Sequence, residues 1–195
     1  MAKSFVVNVM ARDRVGIVAA VTRAIDQCGG NVDAVSQTVL RGYFTLILTA
    51  QFPGDARVED TRAAVEKAGT PGELAVSVKV QEAEAVKPVV ADGDEFVLSI
   101  LGKDRPGVVT RISAYLCSRN INIVDLYAYT EGDEFMMLSQ VTIPRHVDVR
   151  QIQIDLEGLP MGKDMEIRLQ HQDVFAATNE IEFRHKEFRP KDRPC

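Results

Sequence analysis

Two short stretches carry the residues best suited to chemistry: Asp13-Arg14-Val15-Gly16 and Asp104-Arg105-Pro106-Gly107. Each sets a carboxylate, a guanidinium and a glycine just before an apolar run that opens with Ile17 or Val108. That run has helical spacing, so the bend precedes a helix N-terminus. Free N–H groups and a partial positive charge there favour a carboxylate or a phosphate. Gly16 and Gly107 lack a Cβ, so a ligand can approach their backbone closely. Pro106 fits the first helical position, where its missing N–H costs nothing. Asn31 and Asn122 follow the two helices and open the next strands. Asn supplies a donor and acceptors, which suits a zwitterion.

Plainer roles compete at every position. Asp13 and Asp104 either meet a ligand or cap the first helix and favour its dipole. Arg14 and Arg105 read more readily as solvated charges than as ligand salt bridges. Gly16 and Gly107 also suit helix–sheet packing, and Asn31 and Asn122 suit local turn hydrogen bonds.

Other chemistry is poorly supported. GxSxG, HExxH, P-loop and GxGxxG patterns are absent, so no catalytic residue and no cofactor are expected. His146, His171 and His185 have no metal-ligand spacing, so no metal site is expected. Gly29-Gly30 reads as a helix stop rather than a phosphate cradle. Lys plus Arg number 23 against 28 Asp plus Glu, a net charge of -5, which argues against direct nucleic-acid binding. No apolar run approaches the roughly 18 residues of a membrane helix. Arg12, Asp13 and Arg14 cut the first apolar run too short for a signal peptide. Cys28, Cys117 and Cys195 form no CxxC pair. A reduced, cytoplasmic setting is the simplest expectation. Cys28 and Cys117 read as core thiols.

The elements that position the two bends come from an internal repeat. Phe5-Val6-Val7-Asn8-Val9 aligns with Phe96-Val97-Leu98-Ser99-Ile100, Asn31-Val32 with Asn122-Ile123, Phe44 with Phe135 and Pro53 with Pro144. All of these pairs, and the two bends, share an ungapped offset of 91 residues. In the first copy, residues 4–10, 31–40, 43–52 and 74–80 alternate or are β-branched, and read as strands. Residues 15–28 and 58–69 have helical spacing. Arg41-Gly42 signals a two-residue hairpin. The second copy repeats this with strands near 95–102, 122–130, 134–143 and 165–171, and helices near 106–119 and 147–157. The fold class is therefore α+β. It consists of two ferredoxin-like βαββαβ domains in tandem, each a four-stranded antiparallel sheet with two helices on one face. The expected boundaries are domain 1 at 1–81, a linker at 82–94, domain 2 at 95–172, and a short helix with a charged tail at 173–195.

DRxG, an apolar helix, and then Asn-Val or Asn-Ile opening a strand resembles the ACT domain, an amino-acid-sensing regulatory module. The resemblance covers both copies. The stretch Glu166 to Phe175 is similar to the end of small bacterial and tandem ACT proteins, some of which are named glycine cleavage system transcriptional repressors. The resemblance implies a non-catalytic regulatory protein that binds a free amino acid at an interface between two ACT domains. It also implies that Asp13 to Ile17 with Asn31, and Asp104 to Val108 with Asn122, supply the contacts. Val15 departs from the proline frequent in the family, and the two aspartates stand where serine-sensing members carry Asn.

Open sheet edges invite pairing, so a homodimer is expected. A regulatory protein partner would carry any output, because the sequence contains no catalytic domain. The competing reading is a ligand-free interaction module using sheet edges and the C-terminal tail. An RNA-recognition reading fails: Arg41-Gly42-Tyr43 is followed by Phe44 and Thr45 where a small residue and an aromatic are needed. An acylphosphatase reading is opposed by Asp13 and Asp104, which would repel an acyl phosphate.

Overall fold

The computed structural model describes residues 2–81, 92–160 and 164–179. Most of the expected linker (82–91) and the end of the tail (180–195) lie outside these residues. Thirteen elements follow the chain order β1 (Lys3–Arg12), α1 (Ile17–Gln27), β2 (Asn31–Leu40), β3 (Tyr43–Phe52), α2 (Val58–Glu66), β4 (Ala75–Val80), β5 (Gly93–Lys103), α3 (Val108–Ser118), β6 (Asn122–Glu131), β7 (Glu134–Pro144), α4 (Val149–Glu157), β8 (Met165–His171) and α5 (Gln172–Asn179). They form two four-stranded sheets, ordered β2-β3-β1-β4 and β6-β7-β5-β8. Every pairing is antiparallel. The two βαββαβ units expected from the repeat are therefore present.

Strand alternation creates each core. In the first unit Phe5, Val7 and Val9 of β1 and Leu46, Leu48, Ala50 and Phe52 of β3 face the helices and are fully buried. Val21, Ala24 and Ile25 of α1 and Val65 of α2 close over them. Phe5 and Phe52 stack with ring centroids 4.8 Å apart. The second unit repeats the pattern with Leu98, Ile100, Met137, Val141 and Ile143 beneath Ile112, Leu116, Ile152 and Leu156. Fully burying one such side chain contributes roughly 1.5–3 kcal/mol.

Smaller features recur at the same offset. The β2–β3 ladder shifts register between Val32 and Ala34, and the β6–β7 ladder shifts between Ile123 and Asp125. Arg41 and Gly42 both take positive φ, as a two-residue hairpin requires. The cysteine expectation needs correction: Cys28 is half-buried against the core, but Cys117 is exposed. Cys117 sits on the outer side of α3, one residue beyond the buried Leu116.

Candidate functional site

Each bend lies where a central strand hands over to its first helix. Its main chain is fixed by one hydrogen bond to the neighbouring hairpin. The Asp13 N–H donates to Gly42 O at 2.9 Å, and the Asp104 N–H donates to Asp133 O at 2.7 Å. Gly16 and Gly107 are the helix N-caps, with φ of 93° and 83°. That left-handed conformation costs an L side chain roughly 1–2 kcal/mol, and it is why glycine stands there. Helix–sheet packing is not the reason. A Cβ on Gly16 would meet nothing nearer than Arg14 Nη1 at 4.0 Å.

Neither aspartate caps its helix; both N-caps lack a side-chain hydrogen bond. The first helical bonds run from the Ala20 N–H to Gly16 O (2.9 Å) and from the Arg111 N–H to Gly107 O (3.0 Å). The N–H groups of Ile17, Val18 and Ala19, and of Val108, Val109 and Thr110, therefore precede the first rung. Asp13, Val15 and Pro106 are exposed, while Ile17 and Val108 anchor the helix starts in the core.

The arginines have partners within their own units. Arg14 Nε donates to Glu73 Oε1, and its Nη1 donates to Val15 O at 3.2 Å. Glu73 also accepts from the Thr70 N–H (2.7 Å) and the Thr70 hydroxyl (2.9 Å). The Arg14 bond, aided by those from Thr70, holds the Glu73 carboxyl down at about 2. Arg105 pairs with Asp164 at 3.4 Å in the second unit. Sequence reading missed both acids. The available signal was the repeat itself, because Glu73 and Asp164 are also 91 residues apart.

The two bends differ in one respect. Arg111 folds back over the second bend, its Nη2 donating to Pro106 O at 2.7 Å. A Cβ on Gly107 would lie 3.1 Å from Arg111 Nη1. Arg111 Nε is buried with no hydrogen-bond partner. The matching residue in the first repeat is Ala20. The second bend is thus covered by a guanidinium from within its helix, whereas in the first the equivalent carbonyl, Val15 O, is reached by Arg14 of the bend itself.

Asn31 and Asn122 are exposed at the first positions of β2 and β6. Each lies at the opposite end of its eleven-residue helix from the bend, roughly 16 Å away along the axis. A single repeat therefore does not bring its bend and its asparagine together.

An open groove of about 540 Å³ lies between α1 and α2, lined in part by Ala20, Ala24, Ala63 and Ala64. None of the sequence-predicted residues borders it. In the second unit the positions matching Ala24 and Ala64 are Tyr115 and Asp155. There the Tyr115 hydroxyl donates to Asp155 Oδ2 at 2.8 Å, and Arg119 donates to the same oxygen at 2.6 Å. Among the described residues, no group of His, Cys, Asp and Glu is placed to hold a metal ion, and no helix is long and apolar enough to cross a membrane.

Two ferredoxin-like units, each with a glycine-capped bend feeding its first helix, define the class. The ACT-domain profile matches residues 3–81 and again 94–170, so the chain belongs to the ACT domain family. It is similar to a UPF0237 protein of Methanosarcina acetivorans, 34% identical over 89 residues, which covers 44% of this chain and 95% of that protein. A UPF0237 protein of Pyrobaculum aerophilum is 36% identical over 80 residues, covering 40% of this chain and 89% of that one. These relatives are about one repeat long. Two crystal structures match across both repeats. One is an unknown protein from Galdieria sulphuraria, with a TM-score of 0.68 and 27% identity over 88% of this chain and 99% of the other. The second, provisionally described as a glycine cleavage system transcriptional repressor, has a TM-score of 0.64 and 17% identity over 87% and 97%. It shares the fold.

Proposed function

We propose that this protein is a non-catalytic regulator that binds a free amino acid where two ACT domains meet, and signals to a partner protein. The observation that carries the reading is Arg111. A cation folded over a helix N-terminus is electrostatically misplaced unless an anion joins it. Its buried, unpartnered Nε beside the free N–H groups of Val108, Val109 and Thr110 suits a ligand carboxylate. Asp104 then suits the ammonium end. A second ACT domain supplies the asparagine, because bend and asparagine sit at opposite ends of α3. Edge strand β6, paired antiparallel with the like edge of that domain, would set one bend beside the other's Asn122. The first bend, with Asp13 to Ile17 and Asn31, forms a second and weaker site of the same kind.

Metabolite sensing needs only about -4 to -8 kcal/mol, millimolar to micromolar affinity. Two or three charge-assisted hydrogen bonds suffice for that. Calorimetric titration with the twenty amino acids tests the reading. Saturable heat for at least one, lost in Arg111→Ala, supports it. Silence across all twenty at millimolar concentration favours the ligand-free interaction module.

A further inference from the structure

We infer that two copies of this chain join through the free edge of β4, Val78 against Val78, and that Gln153 closes the matching edge of β8 to the same pairing. In the strand orders β2-β3-β1-β4 and β6-β7-β5-β8, β4 and β8 are the edges away from β2 and β6. The β8 edge is occupied. Gln153 of α4 lays its carboxamide along it. Its Nε2 donates to Ile167 O at 2.9 Å, and its Oε1 accepts from the Leu169 N–H at 2.9 Å. Nε2 also donates to Glu157 Oε1. One side chain thus makes the two backbone bonds that a docking strand would make there.

The first unit lacks this plug. The offset of 91 turns Gln153, Glu157, Ile167 and Leu169 into Arg62, Glu66, Val76 and Val78. Arg62 has no acceptor for the Val78 N–H. Its guanidinium turns to Glu66 instead, Nε lying 3.8 Å from Oε1. The Gln81 N–H donates to Ser4 O of β1 at 2.7 Å. Backbone groups alternate sides along a strand, so Val76, Val78 and Val80 turn their N–H and C=O away from β1. Among the described residues, no side chain bonds to these groups.

The edge is complementary to itself. β4 reads Ala-Val-Ser-Val-Lys-Val, with Lys79 its one charge. An antiparallel pair with its two-fold at Val78 sets Val76 opposite Val80 of the second copy, and joins the three outward residues of each copy by N–H···O bonds. Val80, 56% exposed, gains a valine on its own face. Lys79 then opposes Ser77 of the second copy. A slip that centres the pair on Lys79 sets two lysines directly opposite, which is destabilising. A slip to Ser77 pairs Val80 with Leu74, which lies outside the strand. Such a two-fold contact closes on itself and stops at two copies.

Sedimentation velocity of the full chain over a concentration series, with amide exchange followed residue by residue by NMR, tests this. The Val76, Val78 and Val80 N–H groups should exchange more slowly as the dimer forms. Arg62→Gln should install the plug: the Val78 N–H becomes protected at every concentration, and the dimer weakens by about tenfold or more. Val78→Pro removes an outward N–H that the unit's own sheet does not use, so the unit should fold and the dimer be lost. Gln153→Arg should free the Leu169 N–H and give species larger than a dimer. A chain that stays monomeric overturns the proposal. So does a dimer in which Val78 exchange is independent of concentration, whichever edge it uses, or one that survives both Arg62→Gln and Val78→Pro. A Gln153→Arg chain no larger than its parent overturns the role given to Gln153.

Discussion

Arg14 and Glu73 tie the first bend to the loop that enters β4, and the same tie recurs in the second unit as Arg105 and Asp164. These acids are matched by topology rather than by any local motif. They make the bend a braced structure, with main chain held by a hairpin and side chain held by the far edge of the sheet.

Acid sensitivity follows from Glu73. Its carboxyl drops from an ordinary 4.5 to about 2 in the folded protein, chiefly through the Arg14 hydrogen bond. A depressed carboxylate contributes stability that is complete above its unfolded value and is lost as pH falls through the folded one. Glu73→Gln should therefore flatten the loss of stability between about pH 4.5 and 2. Urea melts across that range measure it; an unchanged slope would break the link.

Gly16→Ala and Gly107→Ala force an alanine into the left-handed region, and each should destabilise its unit by about 1–2 kcal/mol. Gly107→Ala should cost more, because its Cβ also meets Arg111 Nη1. Chemical denaturation of the two variants ranks them.

Arg111→Ala should weaken a carboxylate ligand by about tenfold or more, since a hydrogen bond to a charged group contributes roughly 1.5–3 kcal/mol. Stability should change little, because the substitution removes a buried Nε that has no partner along with the single bond to Pro106 O. Ala20→Arg should strengthen binding at the first bend. Calorimetry on the three proteins separates the two sites.

Tyr115 should titrate above a free tyrosine. Burial raises its phenol first, and its hydrogen bond to Asp155 adds to that. Asp155→Asn should lower the midpoint without returning it to the free value. Absorbance at alkaline pH reads this directly, compared with the exposed tyrosines.

The fold was legible because the duplication gave two independent readings of each element, and alternation in β1, β3, β5 and β7 marked the buried face. Positive φ at Gly16 could not be read, because close approach and left-handed geometry both call for glycine. Arg111 went unnoticed because an i+4 side chain reaching back over its own bend leaves no trace in a linear motif. The opposite placement of Asn31 and the bend follows from the helix between them, and became clear once strand order was fixed.

The bracing of the first bend also has a mechanical side. Gly42 lies in the hairpin leaving edge strand β2, and Glu73 precedes edge strand β4. A load applied to Asp13 and Arg14 is thus shared between the two outermost strands, so a tug at one rim is transmitted across the full width of the sheet to the other.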